Sequence, residues 1–116
     1  MIVIIKDSLN KNDVEKARAD HKNYIKVTID IKKEIVAIGG EYHADAEKIL
    51  LERYDCTSED IFGGGYNITT KEIEFIAMLN LRPNYGNSSM EILDQDKRNK
   101  FKEIAERKLK GIESLV

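Results

Sequence analysis

The chain holds a single cysteine, a single proline and no tryptophan in 116 residues. With Cys56 alone no internal disulfide can form, and the composition suits a reducing cytosol. Long hydrophobic runs are also missing. Met1-Ile2-Val3-Ile4-Ile5 gives way at once to Lys6-Asp7, too short a stretch for a signal peptide or a membrane span, so a cytoplasmic protein without a membrane partner is expected. There is no HExxH and no Cys/His quartet, which removes the strong zinc signatures. Ser88 and Ser89 lack a GxSxG context, which argues against a serine hydrolase. Gly63-Gly64-Gly65 is not followed by Lys-Ser/Thr or by a helix, so it is not a nucleotide phosphate loop; a glycine bend between elements is the expectation. Cys56 has no histidine or CxxC partner nearby and reads as a structural thiol.

What is present is a balanced, globular composition, 41% hydrophobic and 34% charged, with a net charge of −2. At this length one domain, residues 1–116, buries about 65% of its unfolded surface, enough for a single core without staples. Charge is unevenly placed. Residues 97–110 carry seven Lys/Arg against Glu103 and Glu106, whereas residues 1–96 carry 12 basic and 18 acidic groups. The basic residues spread around the helix outside its apolar stripe, which fits a solvated face; contact with RNA or DNA is the alternative.

Periodicity outlines the elements. Residues 2–6 read as a strand, and Asn12 with Glu15 as a capping box opening a short helix to about Asp20. Residues 24–31 alternate: Ile25, Val27, Ile29 and Ile31 face one way, Tyr24, Lys26, Thr28 and Asp30 the other. Lys32-Lys33 reverses the chain, and Glu34–Ile38 returns as a strand. A helix follows from about His43 to Tyr54, with Ala46, Ile49, Leu50 and Tyr54 as its core stripe. Thr57–Gly65 reads as a loop, Tyr66–Thr69 as a fourth strand and residues 72–82 as a fifth, ended by Pro83. Asp94 caps a last helix running to about Glu113, with Phe101, Ile104, Ala105, Leu109 and Ile112 on one face. The order βαββαββα predicts an α+β fold, a two-layer sandwich with a mainly antiparallel or mixed sheet of about five strands and three helices.

Reactive groups crowd into Gly39-Gly40-Glu41-Tyr42-His43-Ala44-Asp45-Ala46-Glu47. His43 and Glu47 stand one helical turn apart, their Cβ atoms roughly 5–6 Å from each other, while Asp45 points away and Glu41 precedes the helix. One imidazole with carboxylates suits a divalent metal ion held by Glu41, His43 and Glu47, or a metal-free acid/base pair. The ordinary alternative is structural: acids in a first turn complement the helix dipole, and His43 caps or packs. Arg82, at the end of the fifth strand with Asn87 and Ser88 nearby, has the fork to bind a carboxylate or phosphate; its ordinary alternative is a salt bridge to Glu41 or Glu47.

The run Ala37–Glu47 followed by Leu50-Leu51-Glu52, together with Asn80-Leu81-Arg82-Pro83 and Gly86-Asn87-Ser88, resembles the signature of a small prokaryotic family of unknown function, over roughly residues 24–96. The resemblance implies a single domain of about this length and places Glu41, His43, Asp45, Glu47, Arg82 and Asn87 at the family's recognisable positions. It implies no reaction. Where the family pattern has a tryptophan-glycine pair, this chain has Phe62-Gly63.

Three functions are therefore carried forward. The first is a metal-assisted hydrolase of a phosphate-bearing substrate such as RNA or a nucleotide, with His43, Glu47 and Arg82 catalytic. The second is a non-catalytic module for a small ligand or a protein, with Arg82, Asn87 and Ser88 as contacts. The third is a homodimer paired through an exposed edge at the first or fourth strand. The first two require the imidazole, the carboxylates and Arg82 to share one hollow.

Overall fold

A computed structural model describes residues 1–116. Its five strands, β1 (Val3–Ile5), β2 (Tyr24–Asp30), β3 (Ile35–Ile38), β4 (Ile61–Asn67) and β5 (Glu72–Glu74), form one antiparallel sheet in the order β1-β3-β2-β4-β5. Three helices, α1 (Lys11–Arg18), α2 (His43–Arg53) and α3 (Gln95–Lys108), complete an α+β fold with the expected element order.

The alternation in β2 divides the molecule. Ile25, Val27, Ile29 and Ile31 join Val36 and Ile38 of β3 in the main core, against Val14 and Ala17 of α1 and Phe101, Ile104 and Ala105 of α3. Full burial of a side chain such as Phe101 contributes about 1.5–3 kcal/mol. The opposite face is covered too. Leu50 of α2 packs there with Ile61, Cys56, Ile4 and Ile35, so a thinner third layer is added to the two-layer sandwich. This cover explains why Thr28 and Asp30, on the polar side of the alternation, are each only 1% exposed. The Asp30 carboxylate accepts from the Lys32 and Lys33 amides and so forms the β2–β3 turn. Cys56 lies beside it, and burial first, then the neighbouring Asp30, pushes its thiol up to about 12, which leaves it a structural group.

Several expected boundaries move, each for a local reason. The cap of α1 is Asn10, two residues before the expected Asn12: its side chain accepts from the Asp13 amide at 2.9 Å and donates to the Asp13 carboxylate at 3.0 Å. The last helix ends at Lys108, because Gly111 turns left-handed (φ 85°) and Ile112–Ser114 continues as a 3₁₀ turn. The basic face of α3 is largely paired within the chain: Lys100 and Arg107 with Glu34, Lys102 with Glu106, and Arg98 with Glu91.

The largest correction is at the glycine triplet. Thr57–Gly65 is not a loop; after the 3₁₀ turn Ser58–Asp60 the chain enters β4, and Gly63, Gly64 and Gly65 pair with Thr28, Val27 and Lys26 of β2. Glycine ordinarily weakens a strand, but it permits close approach of other groups. A Cβ at Gly63 would lie 2.8 Å from the His43 ring. One at Gly64 would lie 2.2 Å from the Glu74 carbonyl oxygen and 2.9 Å from Phe101, and one at Gly65 would lie 2.0 Å from the Tyr24 hydroxyl. The fourth strand is consequently seven residues long and central, not an edge; the edges are β1 and β5, of three residues each. Such short edges are poor templates for pairing with another chain.

The fifth strand is also shorter than its pattern. β5 stops at Glu74, Ile76 makes an isolated bridge to Glu91, Met78–Asn80 is a 3₁₀ turn, and Arg82 bridges to Asn87. Apolar alternation over 72–82 persists without a strand because Ala77 and Leu79 are drawn inward by the core while Ile76 and Met78 remain 53% and 72% exposed.

The glycine contacts predict unequal costs. Gly64→Ala sets a methyl against backbone and should destabilise the fold by about 1–3 kcal/mol in urea unfolding. Gly65→Ala meets the end of the Tyr24 side chain rather than backbone, which a turn of that side chain relieves, and should cost less than half as much. Equal costs at the two positions would contradict this account of β4.

Candidate functional site

His43 opens α2 and is 91% buried, since only 9% of it is exposed. Its ring lies over Gly63, and Nε2 is 2.7 Å from the Gly64 carbonyl oxygen. A carbonyl only accepts, so Nε2 carries the proton and donates. Burial lowers the His43 pKa below its ordinary value; Lys26 and His21 lower it further, while the Gly64 bond acts in the opposite sense. The ring is therefore a neutral group wedged between helix and sheet.

Beside it is a hollow of about 420 Å³, within the range of small-molecule sites. Ala44, Ile76, Ala77, Met78 and Leu79 supply apolar wall, and Tyr24, Lys26, Tyr42 and His43 supply polar groups. Gly65 leaves room for the end of the Tyr24 ring against β4. Burial, with Glu74 nearby, pushes the Tyr24 hydroxyl up to about 12, so it stays protonated at neutral pH. Tyr42, 62% exposed, stands at the N-cap of α2 without a side-chain cap bond.

Arg82 lines a different hollow, of about 240 Å³, with Glu59, Phe62, Tyr85, Asn87, Asp94 and Lys97. Its guanidinium donates to the carbonyls of Ser58 and Ile61, and one nitrogen is 3.6 Å from a Glu47 oxygen. The rings of Phe62 and Tyr85 lie 5.3 and 5.6 Å from it. Burial lowers its pKa, and Glu47 opposes that shift. Arg82 thus ties the Ser58–Asp60 turn, β4 and α2 together. Asn87 is equally engaged: its amide nitrogen reaches the Asn80, Ser89 and Glu91 carbonyls at 2.6–2.9 Å, and its oxygen accepts from the Leu93 amide.

The expected site residues accordingly separate. Glu47 and Arg82 meet, in the salt bridge weighed as the ordinary alternative, and Asn87 lies in the Arg82 hollow. His43 lines the other hollow. Glu41, Asp45 and Ser88 are exposed. No three carboxylate, imidazole or thiol side chains gather in a way that could hold a metal ion, so Glu41, His43 and Glu47 do not form the expected cluster.

Two roles were not anticipated. Asn80, 0% exposed, accepts from the Gly63 amide at 2.8 Å and donates to the Gly63 carbonyl at 2.9 Å, replacing with a side chain the strand partner that β4 loses after Glu74. Its position in Asn80-Leu81-Arg82-Pro83 was the available signal. Tyr24 and Lys26 line the hollow beside His43, and the period-two pattern of β2 puts both on the face that α2 covers only in part.

The fold is thus a single antiparallel sheet with helices on both faces, and His43 and Arg82 line two separate hollows of it. The family model described as "Protein of unknown function (DUF5674)" matches residues 3–108, and the chain belongs to this family. No curated protein and no solved structure matches it. No helix is long and apolar enough to cross a membrane.

Two outcomes test this geometry. The lowered pKa of His43 means that the unfolded chain takes up a proton below about pH 6.5 that the folded chain refuses. Its contribution to stability is complete above that pH and is lost as the pH falls toward the folded value. The melting temperature should drop between pH 7.5 and about 5.5, more steeply than in His43→Gln; parallel slopes would refute the buried neutral ring. Asn80→Leu bares the Gly63 amide and carbonyl and should cost at least about 2 kcal/mol in urea unfolding, and a loss under about 0.5 kcal/mol would show the amide to be dispensable.

Proposed function

We propose that this chain is a non-catalytic binding module that takes a small organic molecule in the hollow between β2, the start of α2 and residues 76–79. The observation that carries this reading is the hollow itself: about 420 Å³, apolar over most of its wall, with Tyr24, Lys26, Tyr42 and His43 as the few polar groups. Sites for small molecules share this pattern, in which apolar wall supplies affinity and sparse polar groups fix orientation. Two of its walls, β2 and the start of α2, are regular elements already in place, which lowers the cost of ordering on binding.

The hydrolase reading draws less support. It needs Glu41, His43 and Glu47 around one divalent ion and a free Arg82 fork to steady a phosphate. Those three side chains do not gather, and the fork is taken by Ser58, Ile61 and Glu47. A nucleic-acid role for the last helix is weakened in the same way by the pairing of Lys100, Arg107, Lys102 and Arg98.

A neutral fluorescent arylamine, phenylnaphthylamine, tests the module. It should brighten on addition of the protein with saturable binding, and Ala44→Trp, at an exposed position on the cavity wall, should weaken it at least about tenfold without lowering the melting temperature. Absence of saturable binding, or binding untouched by Ala44→Trp, would sink the reading.

A further inference from the structure

We infer that the hollow selects a small monoanion with a flat apolar body, of the aromatic carboxylic acid class, and that Lys26 is the residue that holds the anionic group. This inference rests on the binding-module reading and adds the chemistry of the ligand.

Lys26 is the one lysine or arginine on the cavity wall, and no acid lines that wall. It is half-buried and makes neither a salt bridge nor a side-chain hydrogen bond, whereas Arg82, half-buried at the other hollow, is held by two carbonyls and a carboxylate. The acid across Gly65 on the same face, Glu74, accepts from the Asn67 side chain at 3.3 Å instead. His43 keeps its Nε2 proton on Gly64, so a neutral ring adds no competing charge. An ammonium group at an apolar wall with no partner leaves charge complementarity open to an anion.

Shape limits the class further. Tyr24 and Tyr42 supply aromatic rings and Met78 a polarizable thioether, groups that suit a planar arene. A phosphate dianion would leave one charge uncompensated, because no second lysine or arginine lines the hollow. A neutral arene would fill the apolar wall and leave Lys26 unpartnered.

A matched pair of probes tests this: anilinonaphthalene sulfonate and its neutral parent phenylnaphthylamine, titrated by fluorescence against the full chain. The sulfonate should bind about tenfold tighter, and the preference should shrink as salt is raised. Lys26→Met keeps the aliphatic stem and should reduce the preference to near parity with the neutral amine's affinity retained, while Lys26→Arg should preserve the preference. Equal affinity of the two probes for the wild-type chain, or a preference that survives Lys26→Met, would overturn the inference and leave the binding module standing. Failure of both probes to bind would remove the module and its selectivity together.

Discussion

The close approach of three side chains to the backbone of β4 is the constraint on which the rest depends. A strand of ordinary residues at positions 63–65 would hold His43, Phe101 and Tyr24 away from the sheet by the width of a methyl group or more. Without that approach α2 would stand off one face and α3 off the other, and the two cores could not both reach interior density. The strand needs outside help to be this bare. β2 pairs with it along its whole length, and on the other edge the Asn80 amide takes the place of a strand partner after Glu74.

The same constraint builds both hollows. Because β5 ends early, the chain from Phe75 to Leu93 leaves the sheet and returns, and it is held by buried amides and one guanidinium rather than by a ladder. Asn80, Arg82 and Asn87 each spend their donors on backbone carbonyls. A segment without regular structure cannot satisfy its own polar groups, so long polar side chains do this for it. The excursion leaves one hollow against Tyr24, Lys26 and His43, and another around Arg82. His43 and Arg82 thus both bond to backbone carbonyls of the fold, and the lysine on the wall of the first hollow has no such partner.

Much of the architecture was legible beforehand. The alternation of β2 correctly divided its residues between two faces, the 3.6-residue stripe of α3 named Phe101, Ile104 and Ala105, and Asp94 capped that helix by accepting from the Lys97 amide. Local preference misled where tertiary contact overrode it. Gly63-Gly64-Gly65 has poor strand propensity on its own, and only the arrival of His43, Phe101 and Tyr24 makes glycine the residue that fits. The apolar period over 72–82 predicted a strand whose backbone partner is missing. At the candidate site the pairing of Arg82 with Glu47 was among the readings weighed, whereas the separation of His43 from Arg82 was not visible, since helical spacing says which residues share a face but not what that face meets.

Sequence alone determined the class of fold, the polarity of each face of β2 and the stripe of α3, because these follow from periods of two and 3.6 that the backbone imposes locally. The tertiary structure decided which polar groups remain available. A donor's freedom depends on what lies within about 3 Å of it, and for Arg82, Asn80 and Asn87 those neighbours come from two to 24 positions away along the chain, a spread that no single spacing rule encodes.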